Sequence, residues 1–506
     1  MGVKFLKGSR FNSKAREQFV MMAEDYELID YGSEKWIQQL KRFLSRHKAE
    51  QLERLKELKR YYESDNNIKY RPAKTDEYAA DNRIASDFGR FITVFEQGYM
   101  LGKPVEYKNE DVEIQNKINE FSVENNEEYH NVLIKTDLSI YGRAYELVTV
   151  IKPDESELTT IRLNKLNPQQ TFIIYDDTHE RNSLLGVNYY TLDYGDGHRK
   201  EIVKLYTRDM VYTYEDDNKK AEKGMVLRED LTEEHFFDGV PINEFANNED
   251  RLGAYESQLD NIDAYDLSQS ELANFQQDSV DAILVISGNP YTGRGQNDYL
   301  EDGTLNPNGP LAVSLGYKRA KILILDDNPN KDGAKPDAFY LKKEYDAAGA
   351  ESYKQRLVDD ILRFTFTPDT NDKNFSGNQS GEAMKYKLMG SDNLRSQQER
   401  LFKKGLMRRL RLVANIWSIK GNAAIAYDKI NETNIIFTPN IPKSEKEWID
   451  YANSLYGILS NETVFELISK VTGVKSEDEM KRLKDEVGEV PLPRVSEVEL
   501  NAEDDA

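Results

Sequence analysis

The chain has 506 residues, the length of about three ordinary domains. Its 90 acidic and 68 basic side chains give a formal net charge of −22, and an aromatic fraction of 10% is too high for an intrinsically disordered chain. The absence of cysteine excludes disulfide frameworks, cysteine-ligated metals and thiol nucleophiles, and the negative charge disfavours a simple DNA clamp.

The first 130 residues are predicted to be mostly helical. Apolar residues recur at threes and fours over 34–62, with one longer break between Leu44 and Leu52. A second helix is predicted over 81–100. The opposite face of the first helix is basic, which is typical of a solvated surface paired with acidic neighbours. Its basic residues are Lys41, Arg42, Arg46, Lys48, Arg54, Lys56, Lys59 and Arg60.

The apolar period changes to two between residues 144 and 228, where β-branched and aromatic residues alternate with polar ones. We therefore predict an antiparallel sheet region that forms an α+β domain with the preceding helices. The predicted strands are 144–151, 171–175, 186–192, 201–206 and 210–214.

An acidic helix is predicted over 249–278. Residues 249–281 contain nine acidic side chains and a single basic one, Arg251, beside a narrow apolar stripe. A helix of roughly 27 residues within this range would be roughly 40 Å long at 1.5 Å per residue. The pattern fits either packing on few neighbours, including identical subunits, or an ordinary surface helix.

The remainder of the chain alternates between short strands, loops and long helices. Strands are predicted over 282–287, 321–325 and 338–342, with a loop-rich glycine and proline stretch, 288–316, between the first two. Helices are predicted over 348–364, 381–420 and 444–487. A polar loop, 367–380, separates the first two of these helices, and the end of the chain is acidic.

Motifs for catalysis are missing from the sequence. It contains no Walker phosphate loop, no complete dinucleotide fingerprint, no Gly-x-Ser-x-Gly elbow and no His-x-x-x-His pair. No enzyme activity, cofactor or metal is therefore predicted. The start of the chain does not read as a signal peptide, and its longest aliphatic runs are too short to span a bilayer, so no membrane association is expected.

Three sequence segments, together with Asn248 leading into the acidic helix, carry a family resemblance. They are IYGRAYE at 140–146, FDGVPINEF at 237–245, and FTFTPDTNDKNFSGNQSG at 364–381, which runs directly into AMKYKL at 383–388. In this order and spacing the chain resembles the portal protein of tailed double-stranded DNA bacteriophages, of the type found in long non-contractile-tailed phages of Gram-positive hosts. The resemblance covers roughly residues 80 to 480.

The resemblance implies an α+β subunit with an α/β wing, a helical stem, a small β-containing clip and an α-helical crown. On this chain the wing is expected at 1–247 and the clip at 279–347, between stem helices at 248–278 and 348–364. A tunnel loop at 365–380 would precede a long wing or crown helix at 381–420. The crown would follow at 421–487 and an acidic mobile tail at 488–506.

The same resemblance implies a structural function. Such proteins form a ring of about twelve copies at one capsid vertex and conduct double-stranded DNA during packaging and ejection. They dock the terminase large subunit and head-completion or adaptor proteins, and start procapsid assembly with major capsid and scaffolding proteins. The chain is accordingly expected in the virion, after assembly in the host cytoplasm, with no enzyme activity.

The candidate functional residues fall into three groups. The tunnel-loop candidates are Asn371, Asp372, Lys373, Asn374, Phe375 and Asn378. The acidic stem candidates, expected to give a wall to which DNA binds weakly, are Glu256, Asp260, Asp263, Asp266 and Glu271. The partner-binding clip candidates are Tyr291, Arg294, Asp298 and Tyr299. Lys373 is read either as a weak phosphate contact or as a solvated loop lysine.

A basic stretch stands out against the overall charge: Arg400, Lys403, Lys404, Arg408, Arg409 and Arg411. It is expected either to meet DNA near the crown or, preferably, to pair with acidic faces of an adjacent subunit. Two other classes of protein remain open from the residues alone. One is a different oligomeric phage connector or capsid protein, against which the 367–380 loop argues, and the other is a hydrolase with an unrecognised carboxylate site.

Overall fold

The fold is known from a computed structural model. It describes residues 13–75, 79–151, 160–219, 224–280, 283–288, 295–320, 322–326, 337–341, 346–369, 381–421, 427–440, 454–455, 458, 460, 462–465, 469 and 476–486. The described α-helices are α1 (Ala23–Glu27), α2 (Glu34–Arg46), α3 (Leu52–Tyr62), α4 (Phe88–Leu101), α5 (Val112–Glu124), α6 (Glu127–Tyr141), α7 (Leu259–Val280), α8 (Pro310–Arg319), α9 (Ala347–Phe364), α10 (Gly381–Gly421), α11 (Tyr427–Asn431) and α12 (Ser476–Glu486). The described strands are β1 (Phe19–Val20), β2 (Glu106–Lys108), β3 (Arg143–Ile151), β4 (Thr160–Leu166), β5 (Thr171–Tyr175), β6 (Ser183–Asp193), β7 (Arg199–Tyr206), β8 (Met210–Asp217), β9 (Val226–Glu234), β10 (Ile242–Ala246), β11 (Ile283–Gly288), β12 (Ile322–Asp326), β13 (Asp337–Leu341) and β14 (Asn434–Ile436). Helices and sheets together confirm the predicted α+β class.

Two sheets, rather than the single sheet region predicted, are formed by residues 143–246 together with β1 near the start of the chain. The first has six strands in the order β1-β5-β6-β7-β8-β9, antiparallel except that β1 joins β5 in parallel. The second has the order β10-β3-β4. The split arises because β3 pairs with β4 on one side and with β10, almost 100 residues later, on the other. The strands β4, β9 and β10 were not among those predicted.

Helix α2 covers one face of the six-stranded sheet. Its buried residues Trp36, Leu40 and Phe43 pack against sheet residues such as Phe172. The Trp36 indole Nε1–H also donates to the Tyr214 hydroxyl at 2.9 Å, which satisfies the polar atom of a buried ring. The apolar stripe read from the sequence is thus the buried face of this helix.

The break in that stripe marks a change of helical geometry. Between α2 and α3 the chain forms a π-helical turn, His47–Gln51, and both of its end residues are buried. The His47 imidazole stacks on Phe172, and its Nδ1 lies 2.9 Å from the Tyr189 hydroxyl. The wider spacing between Leu44 and Leu52 therefore accommodates the extra residue of this turn.

The long helix α10 packs on the second sheet and on α5 and α6. Phe402, Leu406, Leu410 and Val413 are fully buried in these contacts. Gly405 permits the close approach, because a Cβ atom there would lie 2.3 Å from the ring of Phe245. This helix therefore joins the second sheet to α5 and α6 in shared apolar clusters.

Two predicted helices start later than expected. The chain runs extended through residues 80–86 before α4, because its main-chain N–H groups bond to side chains of α7. Helix α7 begins at Leu259, after a 3-10 turn at Glu256–Gln258. Arg251 has a φ of +57°, and Gly253 packs tightly on the carbonyl of Ile140, so the preceding residues form a turn.

The predicted clip contains a three-stranded sheet in the order β12-β11-β13, with β12 parallel and β13 antiparallel to β11. All three strands were predicted. Helix α8 was not, because its sequence lies in a glycine- and proline-rich stretch. Pro310 occupies the first turn of α8, where it needs no hydrogen bond, and the Asp298 carboxylate accepts the Leu311 N–H at 2.8 Å.

The chain divides into two compact units, Met1–Asp372 with Leu388–Asn440, and Lys373–Lys387 with Ile441–Ala506. In the second unit the described residues include helix α12. About half of the predicted crown and all of the predicted acidic tail lie outside the described residues.

Candidate functional site

Helix α7, the predicted acidic stem helix, is fastened to the extended segment 80–86, which we call the strap. Every second main-chain N–H of the strap donates to a side chain of α7, and the acceptors are four residues apart. The bonds are Ser86 N–H to Asp266 (2.8 Å), Ile84 N–H to Ser270 (2.9 Å), Asn82 N–H to Asn274 (2.6 Å) and Ala80 N–H to Asp278 (3.1 Å). The strap therefore runs antiparallel to the helix.

The register follows from the dimensions of the two elements. Four residues of an α-helix rise about 6.0 Å, and two residues of an extended chain rise about 6.6 Å. The distance between successive acceptors on the helix therefore nearly equals the distance between successive donors on the strap, which allows four bonds in a row. Short polar acceptors at positions i, i+4, i+8 and i+12 of α7 thus satisfy main-chain donors that have no sheet partner.

Asp266 is an acceptor of this ladder with none of its surface exposed. Its carboxylate accepts from the Ser86 N–H at 2.8 Å and from the Asn66 side-chain amide at 2.6 Å. Burial raises the pKa of Asp266 to about 6, although these hydrogen bonds oppose the shift. The group is therefore held inside the subunit.

The other acidic stem candidates also differ from the expected open wall. Glu256 is buried and pairs with Arg54, whose Nε lies 2.6 Å from Glu256 Oε1. Asp263 accepts the Tyr61 hydroxyl, and Glu271 lies 2.6 Å from Arg71. Asp260 is exposed. The expectation of a solvent-facing carboxylate is wrong for Glu256 and Asp266, because both carboxylates are buried in contacts within the subunit.

A second set of buried charges surrounds Arg409 on α10. Its guanidinium lies 2.6 Å from both Glu146 and Glu127, and it also donates to Asn131 at 2.9 Å. His130 Nε2 is 3.0 Å from Glu146. Burial alone would raise the pKa of Glu146, but Arg409 and His130 lower it to about 2.

The basic stretch is therefore partly internal. Arg409 has no exposed surface, and Arg408 donates to the carbonyls of Ile242 (2.8 Å) and Val240 (3.0 Å). The expectation that the stretch pairs with an adjacent subunit is wrong for these two residues, because their partners lie in the same subunit. Arg400 and Lys404 are exposed.

Two of the three segments that carry the resemblance, 140–146 and 237–245, contribute residues to these contacts. Gly142 ends α6 with a φ of +78°, and a Cβ there would lie 2.0 Å from the carbonyl oxygen of Arg251. Asn243 donates to Glu146 at 2.9 Å, so the second segment joins the Arg409 cluster. Sequence reasoning found the segments but missed their partners, because these lie far away in the chain.

The clip candidates are placed in part. Asp298 caps α8, and Tyr299 is exposed and forms a β-bridge with Leu305. Among the described clip residues, Val285 is the one apolar side chain that is buried. Many large apolar side chains of this region are exposed: Tyr299, Leu300, Leu305, Leu311, Leu315, Leu323, Leu325, Phe339 and Tyr340. Tyr291 and Arg294 lie outside the described residues.

All six tunnel-loop candidates, Asn371, Asp372, Lys373, Asn374, Phe375 and Asn378, lie outside the described residues. Within the described parts of the chain, no group of three or more His, Asp or Glu side chains is arranged to hold a metal ion. In those same parts, no helix is long and apolar enough to cross a membrane.

Comparison with known proteins places the fold in a family. Residues 41–490 match the family model described as phage portal protein, SPP1 Gp6-like. The chain belongs to this portal family, a structural and non-enzymatic family of oligomeric head-to-tail connectors that are components of the virion. The portal protein of Bacillus phage SPP1 is 21% identical, over 85% of this chain and 83% of that protein.

Proposed function

We propose that this chain forms a ring of about twelve copies at one capsid vertex and conducts double-stranded DNA during packaging and ejection. Membership of the portal family is the observation that carries the proposal. The exposed apolar surface of the clip supports it, because monomeric proteins rarely leave so many large apolar side chains without a partner. Neighbouring copies and docked proteins would cover that surface.

Native mass spectrometry and negative-stain microscopy test the ring. The expected species is a closed ring with a central hole and a mass near twelve times 58.5 kDa. A persistent monomer at micromolar concentration would contradict the proposal. We further propose that the assembled protein has no catalytic activity of its own, so ATP hydrolysis during packaging should depend entirely on the terminase.

The clip is proposed to dock the terminase large subunit and later the head-completion or adaptor protein. Tyr299 is 57% exposed and suits such a contact, because tyrosine combines a large apolar ring with a polar end. Tyr299→Ser should leave rings intact and strongly reduce terminase-dependent packaging. Tyr194→Ser is the matched control, since Tyr194 is also 57% exposed but lies in the wing. Equal packaging by both variants would remove Tyr299 from the docking surface.

The segment from Asn371 to Asn378 is proposed to line the channel, with Lys373 providing a weak phosphate contact in every copy. Low affinity is needed in a conduit, because each phosphate contact must be broken as DNA advances. Lys373→Glu should assemble normal rings yet package less nuclease-protected DNA, most clearly at low salt, where repulsion is screened least. Lys373→Gln controls for loss of the cation alone. Wild-type packaging by Lys373→Glu at low salt would exclude this role.

A further inference from the structure

The C-terminal end of α9 has an unusual residue at its turn. The Thr367 N–H donates to the Leu362 carbonyl at 2.9 Å and the Phe366 N–H to the Arg363 carbonyl at 3.2 Å, which is the bonding pattern of a Schellman cap. The central position of this cap requires a left-handed backbone and is usually glycine. Here it is Phe366, with a φ of +55°. A bulky residue in this conformation is strained.

Helix α10 has an unusual residue at the point that faces this turn. Gly390 lies inside the helix, where glycine is unfavourable compared with alanine. A Cβ atom at this position would lie 3.3 Å from Cδ1 of Phe366, closer than most Cβ contacts. The absent side chain therefore makes room for the phenylalanine ring.

Further contacts hold the turn against its neighbours. The Ser391 hydroxyl donates to the Phe366 carbonyl at 2.5 Å. Phe366 also lines a small cavity with Leu394 of α10 and with Phe95 and Tyr99 of α4, whose rings stack at 5.6 Å. Half of the Phe366 side chain nevertheless remains exposed, so the ring is not a filled core position.

One contact explains both unfavourable residues. A glycine at 366 would relieve the backbone, and an alanine at 390 would favour the helix, but either change would remove or crowd the contact between the ring and α10. Observed backbone strain of this kind is a reason to look for a function at the strained position.

We propose that Phe366 is a positioning residue. Its ring, set against Gly390, fixes the direction in which the chain leaves α9 relative to α10, and so fixes where the predicted tunnel loop begins. The contact between Phe366 and Gly390 is a property of the subunit alone, whereas its importance for DNA passage rests on the proposed function.

Hydrogen–deuterium exchange of the full chain tests the contact. Gly390→Ala should crowd the ring and raise the exchange rate of the Phe366 and Thr367 amides about tenfold. Gly98→Ala is the matched control, because Gly98 is also inside a helix but a Cβ there would meet nothing within 4 Å. Exchange that is unchanged in Gly390→Ala, or equally raised in the control, would overturn the proposed contact.

Packaging separates positioning from a structural role. Phe366→Gly should keep the cap amides protected, because glycine fits the left-handed turn, and should form rings of normal mass. Phages carrying it should nevertheless package at least tenfold less nuclease-protected DNA, and Phe366→Tyr, which keeps the ring, should restore the wild-type amount. Wild-type packaging by Phe366→Gly would overturn the positioning role. If the wild-type chain forms no rings, the proposed function fails instead, while the exchange experiment still decides whether Phe366 and Gly390 are coupled.

Discussion

Helices α10 and α7 are both fastened by buried polar groups, but the chemistry of the two attachments differs. On α10, the charged Arg409 joins two buried carboxylates, Glu127 and Glu146. On α7, side-chain acceptors receive neutral main-chain donors of the strap, one every four residues. The first attachment concentrates its interactions at one residue, whereas the second distributes them along the helix.

This difference determines how each attachment should fail. Removing one partner of a buried ion pair leaves an uncompensated charge, which typically costs about 3–5 kcal/mol. Removing one neutral acceptor from a ladder leaves a single unpaired donor, which costs about 1–3 kcal/mol. The attachment of α10 should therefore be sensitive to single substitutions at its charge cluster, whereas that of α7 should tolerate the loss of one bond.

The largest effect is expected from Arg409→Met. Methionine replaces the charged side chain by an apolar one of similar length. Glu127 and Glu146 then remain buried without their cation, so the free energy of unfolding should fall by about 3–5 kcal/mol. Urea denaturation followed by tryptophan fluorescence measures it. Arg400→Met is the control on the exposed side of the same helix and should change stability by less than about 0.5 kcal/mol. Equal effects of the two variants would contradict the central role of Arg409.

A pH experiment sharpens the comparison, because the two attachments respond with opposite signs. The folded-state pKa of Asp266 is raised to about 6, so the folded protein binds this proton more tightly and loses stability as pH rises from about 4 to 6. The folded-state pKa of Glu146 is lowered to about 2, so its contribution is present above about 4.5 and is lost as pH falls toward 2. The raised pKa of Asp266 changes the free energy of unfolding by at most about 3 kcal/mol across this pH range.

Asp266→Asn isolates the first of these contributions. Its amide oxygen can still accept the Ser86 N–H, but its amide nitrogen replaces the oxygen that accepted the Asn66 amide, and the loss of that bond is the same at every pH. Because the asparagine does not titrate, the stability of the variant relative to wild type should be highest at pH 7 and lowest near pH 4. Urea midpoints of both proteins at the two pH values measure this difference. A difference independent of pH would show that Asp266 does not titrate in this range.

The contrast also explains what the sequence could and could not predict. The buried stripe of α2, the strands β5 and β11 and the limits of α9 and α10 follow from local periodicity and were predicted within about two residues. The strap was predicted as the start of a helix, because nothing local reveals that its N–H groups bond to residues about 190 positions away. The acceptors on α7, spaced by four, were visible as polar residues but were read as an acidic surface.

The candidate sites show the same limit. Charge composition correctly singled out α7 and the basic stretch of α10 as unusual, but it assigned Asp266 and Arg409 to surfaces between molecules. Burial depends on which helix face meets a neighbour, and a polar face that meets another polar element carries no apolar signature. A regular spacing of short acceptors, Asp266, Ser270 and Asn274, was the available signal in the sequence.

The smallest effect is expected for a single bond of the ladder. In the wild-type chain the Ile84 N–H donates to the Ser270 hydroxyl at 2.9 Å. Ser270→Ala removes this acceptor and should lower the free energy of unfolding by about 1 kcal/mol. The loss is limited because Asn82 and Ser86 remain bonded on either side and hold the strap in register. Hydrogen exchange should report the change locally, as faster exchange of the Ile84 amide with little change at Ser86. Gln276→Ala, on the exposed face of α7, controls for the altered helix propensity. Loss of protection along the whole strap would instead show that the four bonds form and break as one unit.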